Sequence, residues 1–199
     1  MRVRTKTLFL VLAAPLAIVA AGCIHRPIGQ LTCQVCVEFE PPLVIGTNYG
    51  SAAGHNDGDV VFTTNNIPVS VHKFNFPAGG GAFNVATVVM PPVPFGMNQT
   101  IRTNNINMGF DFSNIGFTPS EVQFEFLDLG GFENISVNGS LAFSGELSTV
   151  LSPIGGVDIK IFTTPVTGGK KGVAILSGSV KNLIVGGQEF WIDRVCARK

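Results

Sequence analysis

The residues with most chemistry to offer are four cysteines, three of them within AAGCIHRPIGQLTCQVCVEF at positions 20–39. Cys33 and Cys36 have the C-x-x-C spacing of a dithiol redox pair, whose reactive thiol is activated at a helix N-terminus. Here the neighbours Thr32, Gln34, Val35, Val37 and Phe39 read as strand, which argues against redox catalysis. A zinc site would need two further ligands, and although His25, Cys23 and Cys196 are on hand, a lone cysteine pair specifies little. In an exported chain, disulfides come first. Cys36 lies in the first expected strand and Cys196 at the end of the one expected over 189–195, so a bridge between them would tie the first strand to the last. Four cysteines allow three pairings. Cys23 with Cys33 is open only if Cys23 stays unmodified, and Cys33 is otherwise left single.

The remaining side chains do not assemble a catalytic constellation. His25 falls in a tether, His55 in a polar turn and His72 in a strand. A glycosidase needs two carboxylates across a cleft, whereas Glu121, Glu125 and Asp128 are expected along the wet face of one strand. No G-x-S-x-G, H-E-x-x-H or P-loop pattern occurs, so the chain is expected not to be an enzyme. Asp57 and Asp59 in HNDGDV lack the ligand register of a helix-loop-helix calcium loop and read as a turn. Asn98, Asn134 and Asn138 open N-x-S/T triplets that read as polar turns. Lys170 and Lys171 form a dense basic pair between glycines, expected as a solvated hairpin tip. Without a basic stripe to neutralise phosphates, nucleic acid is not an expected partner.

The compartment follows from the N-terminus. Arg2, Arg4 and Lys6 precede an apolar run from Leu8 to Ala21, and Ala20, Ala21 and Gly22 are small, so residues 1–22 read as a signal peptide. The run is shorter than the roughly 20 apolar residues of a spanning helix. Ala-Gly-Cys resembles the bacterial lipobox, whose cysteine is acylated and becomes the first mature residue; Ala20 stands where leucine is usual. The resemblance implies lipidation of Cys23, membrane attachment through burial of many CH₂ groups, and, with Ile24 in place of an aspartate, the outer membrane. Ordinary cleavage would instead leave Cys23 as a thiol or disulfide partner in a secreted protein. Residues 23–33 then form the modified N-terminus and tether, and 34–199 one domain long enough for a well-buried core. Removing the three leader cations from thirteen Lys and Arg leaves ten against thirteen Asp and Glu, a mature net charge of about −3.

The elements that would position these residues are strands. Apolar positions recur with period two in Val122, Phe124 and Phe126, in Ile106, Met108, Phe110 and Phe112, in Val157, Ile159 and Ile161, and in Val69 and Val71. Further strands are expected over 34–39, 59–64, 82–89, 133–137, 140–144, 147–151, 172–177 and 179–185. Glycine pairs at 130–131, 155–156, 168–169 and 186–187 and the triplet 79–81 read as turns between them, and Asn138-Gly139 and Asp57-Gly58 as hairpin signals. Pro91-Pro92-Val93-Pro94 cannot sit in a central strand and reads as a crossing loop. The shared threonine-asparagine pattern at 60–67 and 100–106 reads as local turn chemistry. The expected fold class is all-β, a two-sheet antiparallel β-sandwich, with the fifteen phenylalanines that follow the leader, many at alternating positions, supplying the layer between.

Three segments carry a family resemblance. EFEPPLVIGTNYG at 38–50, FEFLDLGGFENISVNG at 124–139 and GQEFWIDRVC at 187–196 resemble the opening, middle and closing segments of secreted bacterial jelly-roll domains of the non-catalytic carbohydrate-binding kind. That resemblance implies a jelly-roll-like sandwich and a structural calcium between an acid near the first strand, Glu40 or less favourably Glu38, and Asp193 of the last. The alternative leaves both glutamates in solvent and Asp193 paired with Arg194 or Arg102. It also implies a sugar platform, for which Trp191, Tyr49, Asn48, Asn134 and Asn138 are the candidates; Trp191 alternates with Phe190, so only one of the two should face the core. The functions that follow are a lipid-anchored, non-enzymatic surface or periplasmic module binding a glycan, matrix component or protein, or else a structural subunit of an appendage or surface layer assembling by strand addition.

Overall fold

The computed structural model describes residues 23–25 and 31–199, with side chains from Gln34 onward; the expected signal peptide, most of the tether and the Cys23 side chain lie outside them. The described strands are β1 (Cys23–His25), β2 (Leu31–Val37), β3 (Asn48–Gly50), β4 (Val60–Thr64), β5 (Ile67–Asn75), β6 (Gly81–Ala82), β7 (Val85–Val89) and β8 (Thr100–Asn104). They continue with β9 (Ile106–Asp111), β10 (Glu121–Asp128), β11 (Glu133–Val137), β12 (Phe143–Gly145), β13 (Asp158–Val166), β14 (Gly169–Ser177), β15 (Asn182–Gly187) and β16 (Phe190–Arg198). All pairings between them are antiparallel. One nine-stranded sheet runs β13-β14-β10-β16-β8-β7-β3, with β2 on β16 and β1 on β2; a seven-stranded sheet runs β12-β11-β15-β9-β5-β4, with β6 on β5. The two form a sandwich, as the two-residue periodicity requires.

The core lies between the sheets. Val122, Phe124 and Phe126 of β10 meet Met108 and Phe110 of β9, Val69 and Val71 of β5, and Phe190 and Ile192 of β16 in one buried cluster. Removing one such side chain from water contributes roughly 2–3 kcal/mol, which is why alternation decides which way each strand faces. Phe126 and Phe190 stack at 5.6 Å between ring centroids.

Turn chemistry follows residue type. Asn65 and Asn66, both at positive φ, close the β4–β5 hairpin in which Thr64 faces Ile67. The similar segment at 100–106 does a different job: Asn105, at φ 50°, is a corner that carries the chain from β8 in one sheet to β9 in the other. Asp57-Gly58 forms a turn ahead of β4 and joins no pair of hairpin strands. The strand expected over 147–151 is a single 3₁₀ turn, Leu147–Thr149. Gly186 and Gly187, expected to separate strands, lie inside β15, where a Cβ on Gly186 would strike the backbone of Ile106 and Asn107 in β9.

Strand β16 organises the domain. β10 lines one edge; β8 (Phe190–Ile192) and then β2 (Val195–Arg198) share the other. Where β8 gives way to β2 the register slips by one residue, opposite Gln123 to Glu125, and Arg194 takes φ 47°. This bulge reverses the parity of the strand, so Phe190 and Ile192 point into the core before it and Val195 and Ala197 after it. Cys36 and Cys196 stand directly opposite in the β2–β16 register and form a disulfide. The first long strand and the last are therefore covalently joined, as expected. On the backbone of β1 and β2, Cys23 faces Cys33.

Candidate metal centre

Where the chain crosses between the sheets, β10 ends at Asp128 and β11 begins at Glu133, with Gly130 and Gly131 turning the connection at φ 135° and 91°. Both acids share the inward parity of their strands: Asp128 follows Val122, Phe124 and Phe126, and Glu133 precedes Ile135 and Val137. Burial follows from that parity, leaving Asp128 4% exposed and Glu133 fully enclosed. Glu146, just past β12, completes a group in which one carboxylate oxygen from each residue lies within 4.8 Å of the others. Such a group can hold a metal ion. Lys170, facing Asp128 across the β10–β14 pair, places Nζ 3.3 Å from Asp128 Oδ2 and against Glu146 Oε1.

The carboxylates are unequally served. Asp128 Oδ1 accepts from Gly130 N at 2.9 Å, and Glu133 Oε2 from Leu147 N at 2.9 Å. Glu133 Oε1 is buried without a hydrogen-bond partner. Burial, reinforced by the negative charge of Asp128, pushes the Glu133 carboxyl up to about 8. Burial also raises Asp128, against the opposing pull of the Gly130 N–H and the Lys170 charge. For Glu146 partial burial works against ionisation, but the Lys170 hydrogen bond and charge prevail and hold it below the usual carboxylate range. Lys170 is raised, because its two acidic partners outweigh the burial that opposes its charge.

The residues expected to bind calcium do come close together, but around a loop. Glu40 Oε1 accepts from Asn98 N and Gln99 N at 2.7 and 2.9 Å, while Asp193 Oδ2 accepts from Met97 N at 2.7 Å. Three successive N–H groups of the loop following the proline run are thereby fixed by two carboxylates. Asp193 is enclosed and pushed up to about 6 by burial, against hydrogen bonds from Met97 N and Arg194 N. Glu38 is exposed.

The residues expected to form a sugar platform are dispersed. Trp191 points away from Phe190, as alternation requires, yet it is 6% exposed: Phe95, Val93, Val89 and Leu127 cover it, and Arg102 lies 5.3 Å from its ring centre. Tyr49 is buried against Phe62 and His55. Asn134 is buried and clamps Asn75 through N–H to Oδ1 at 2.6 Å and Nδ2–H to O at 2.9 Å. Asn138, at φ 53°, donates to Ser179 O at 2.8 Å and accepts from Lys181 N at 2.7 Å. Asn48 is exposed and accepts from Thr87 Oγ1 at 2.7 Å.

Two corrections concern charge. Asp128 does not share the wet face of Glu121 and Glu125, which pair with Arg198 and Arg194 at 2.9 and 3.0 Å. Nor do Lys170 and Lys171 form a solvated tip: Lys170 sits among the acids and Lys171 Nζ donates to Pro94 O at 3.0 Å. The parity of Asp128 and Glu133 was the available signal for the acidic group. A groove of about 370 Å³ opens elsewhere, lined by Glu38, Glu40, Pro41, Pro42 and Leu43 on one side and Phe62 to Asn65 of the β4–β5 hairpin on the other. Among the described residues, no helix is long and apolar enough to cross a membrane.

No family model matches the chain, and no curated protein and no solved structure matches it. The two-sheet antiparallel sandwich is consistent with jelly-roll-like folds in general.

Proposed function

We propose that this chain is an exported, non-enzymatic β-sandwich module, held at the outer membrane or cell surface by acylation of Cys23, that binds an extracellular glycan. The observation that carries the export is the Cys36–Cys196 disulfide, a bond that persists in oxidising compartments. Glycan binding is supported by the groove beside the β4–β5 hairpin, where Glu38, Thr63 and Thr64 offer groups for sugar hydroxyls beside the apolar faces of Pro42, Leu43 and Phe62. Contact there, with Tyr49 buried behind Phe62 and Trp191 buried beneath the proline-rich loop, replaces the platform expected from the aromatic inventory. The structural cation, expected as calcium, belongs in this reading to Asp128, Glu133 and Glu146.

Two measurements test it. Intact mass of the membrane-extracted native protein should show acyl chains that the Cys23→Ser variant lacks; equal masses apart from the substitution sink the anchor. On an array of bacterial and matrix polysaccharides, the wild type should bind a defined glycan and Glu38→Ala with Thr63→Ala should weaken that binding at least tenfold. A wild type that binds no polysaccharide sinks the glycan assignment.

A second reading, a self-assembling structural subunit, is favoured by β13. This nine-residue strand forms an edge of the larger sheet, with Phe162 57% exposed, and an unpaired edge of that length is a template for strand addition.

A further inference from the structure

Resting on the reading of the acidic group as a cation site, we propose that calcium enters between Asp128, Glu133 and Glu146 by displacing the Lys170 ammonium, which serves the ion-free protein as a tethered counter-ion. Lys170 does the task incompletely. Its Nζ reaches Asp128 and Glu146 but makes no ion pair with Glu133, whose Oε1, in a side chain wholly removed from solvent, has no partner. An ammonium donates along three directions from the end of its own stem. A spherical ion between the three acids touches all of them at once.

Geometry and charge select the ion. Donor oxygens gathered within 4.8 Å of one another fit inside a coordination sphere of radius about 2.3–2.6 Å, the calcium–oxygen distance. Magnesium requires about 2.0–2.1 Å and retains several waters, for which two enclosed carboxylates leave little room. An all-oxygen donor set is also unlike the nitrogen and sulfur sites of zinc. Against three acids an ammonium supplies one positive charge and calcium supplies two, so the exchange improves the charge balance of the group.

The path is open on one side. The side chains of Glu146 and Lys170 are 43% and 22% exposed, so the ion arrives past Glu146 and the lysine stem swings outward by the same route. Its backbone need not move, because Lys170 stays in register with Asp128 on one side and Pro165 on the other. Ion binding thus exchanges one cation for another without dismantling β14, and frees a lysine at the β13–β14 hairpin.

The test is calorimetric titration of the EDTA-stripped full mature chain with calcium chloride, with magnesium chloride in parallel, for wild type, Lys170→Met, Glu133→Gln and Glu146→Gln. The expected result is one calcium per chain, at least tenfold tighter binding in Lys170→Met, and at least tenfold weaker binding in both glutamine variants. Glu146→Gln, at the partly exposed member, keeps the test valid should Glu133→Gln fail to fold. Amine acylation read by mass spectrometry should also show Lys170 becoming several-fold more reactive when calcium is added to the wild type. Equal affinity in wild type and Lys170→Met, with unchanged lysine reactivity, overturns the exchange but leaves the cation site standing. No calcium binding in either protein overturns both, and equal binding of magnesium overturns the choice of ion.

Discussion

A single buried carboxylate shows how the side chains of this protein trade solvation for structure. Asp193 accepts N–H groups from Met97 and Arg194, yet burial raises its carboxyl from the usual 3.8 to about 6. Between about pH 4 and 6 the folded state therefore holds a proton that the unfolded chain has released, and folding stability falls as pH rises through that window. Two pKa units correspond to about 3 kcal/mol. Urea denaturation from pH 4 to pH 7 should show this decline in the wild type, and Asp193→Asn should flatten it; an equal slope in the variant would assign the effect elsewhere. Asn134 is the uncharged counterpart, fully occupied in pairing Asn75 and Asn107 and so withdrawn from any ligand. Asp128 and Glu133 stood at legible inward parity, because a strand that buries residues i and i+2 also buries i+4. That Lys170 and Glu146 would join them was not legible, since those two lie 24 positions apart in sequence.

At the scale of elements, the period of two was informative wherever one sheet face meets the core, as in β10 and in Ile67, Val69 and Val71 of β5. It was less so in β9, where Asn107 and Gly109 are buried opposite the apolar residues because groups of the same sheet close over them, Ser70 and His72 on Gly109 and Lys73 O and Asn134 on Asn107. Glycine was the more deceptive signal. Gly186 looked like a turn, but it lets β15 approach β9 more closely than any side chain allows, as glycine in a strand interior often does. Gly186→Ala should therefore cost about 1–3 kcal/mol, measured as a shift in the urea midpoint. Gly139→Ala makes a useful contrast, because no heavy atom lies within 4 Å of its added Cβ and only the φ of 74° opposes it. If both variants cost the same, strand approach is not what Gly186 provides. The bulge at Arg194 could not be read in advance either, for the extra residue is defined only by its partner strand.

At the scale of the whole molecule, the Cys36–Cys196 bond joins strands 160 residues apart in sequence. Loop-closure entropy for so long a span corresponds to about 5 kcal/mol by the chain-entropy account, and native disulfides typically contribute 2–5 kcal/mol. Cys36→Ala with Cys196→Ala should lower stability to that degree, read as a lower thermal midpoint than the oxidised wild type, while the wild type under reductant should move toward the variant. No change would mean that β2 and β16 hold their pairing through hydrogen bonds and core contacts alone. By itself the sequence determined the all-β class and the direction most alternating strands face, since these depend on local periodicity; the Cys36–Cys196 closure was one of three open pairings until the β2–β16 register set the two cysteines opposite each other. Only the tertiary structure decided that the proline-rich loop covers Trp191, that Glu40 and Asp193 grip that loop, and that one lysine and three acids converge at a sandwich end. Contacts of that kind are set by which strands become neighbours across the two sheets, and neighbourhood between distant segments leaves no trace in the spacing of residues along the chain.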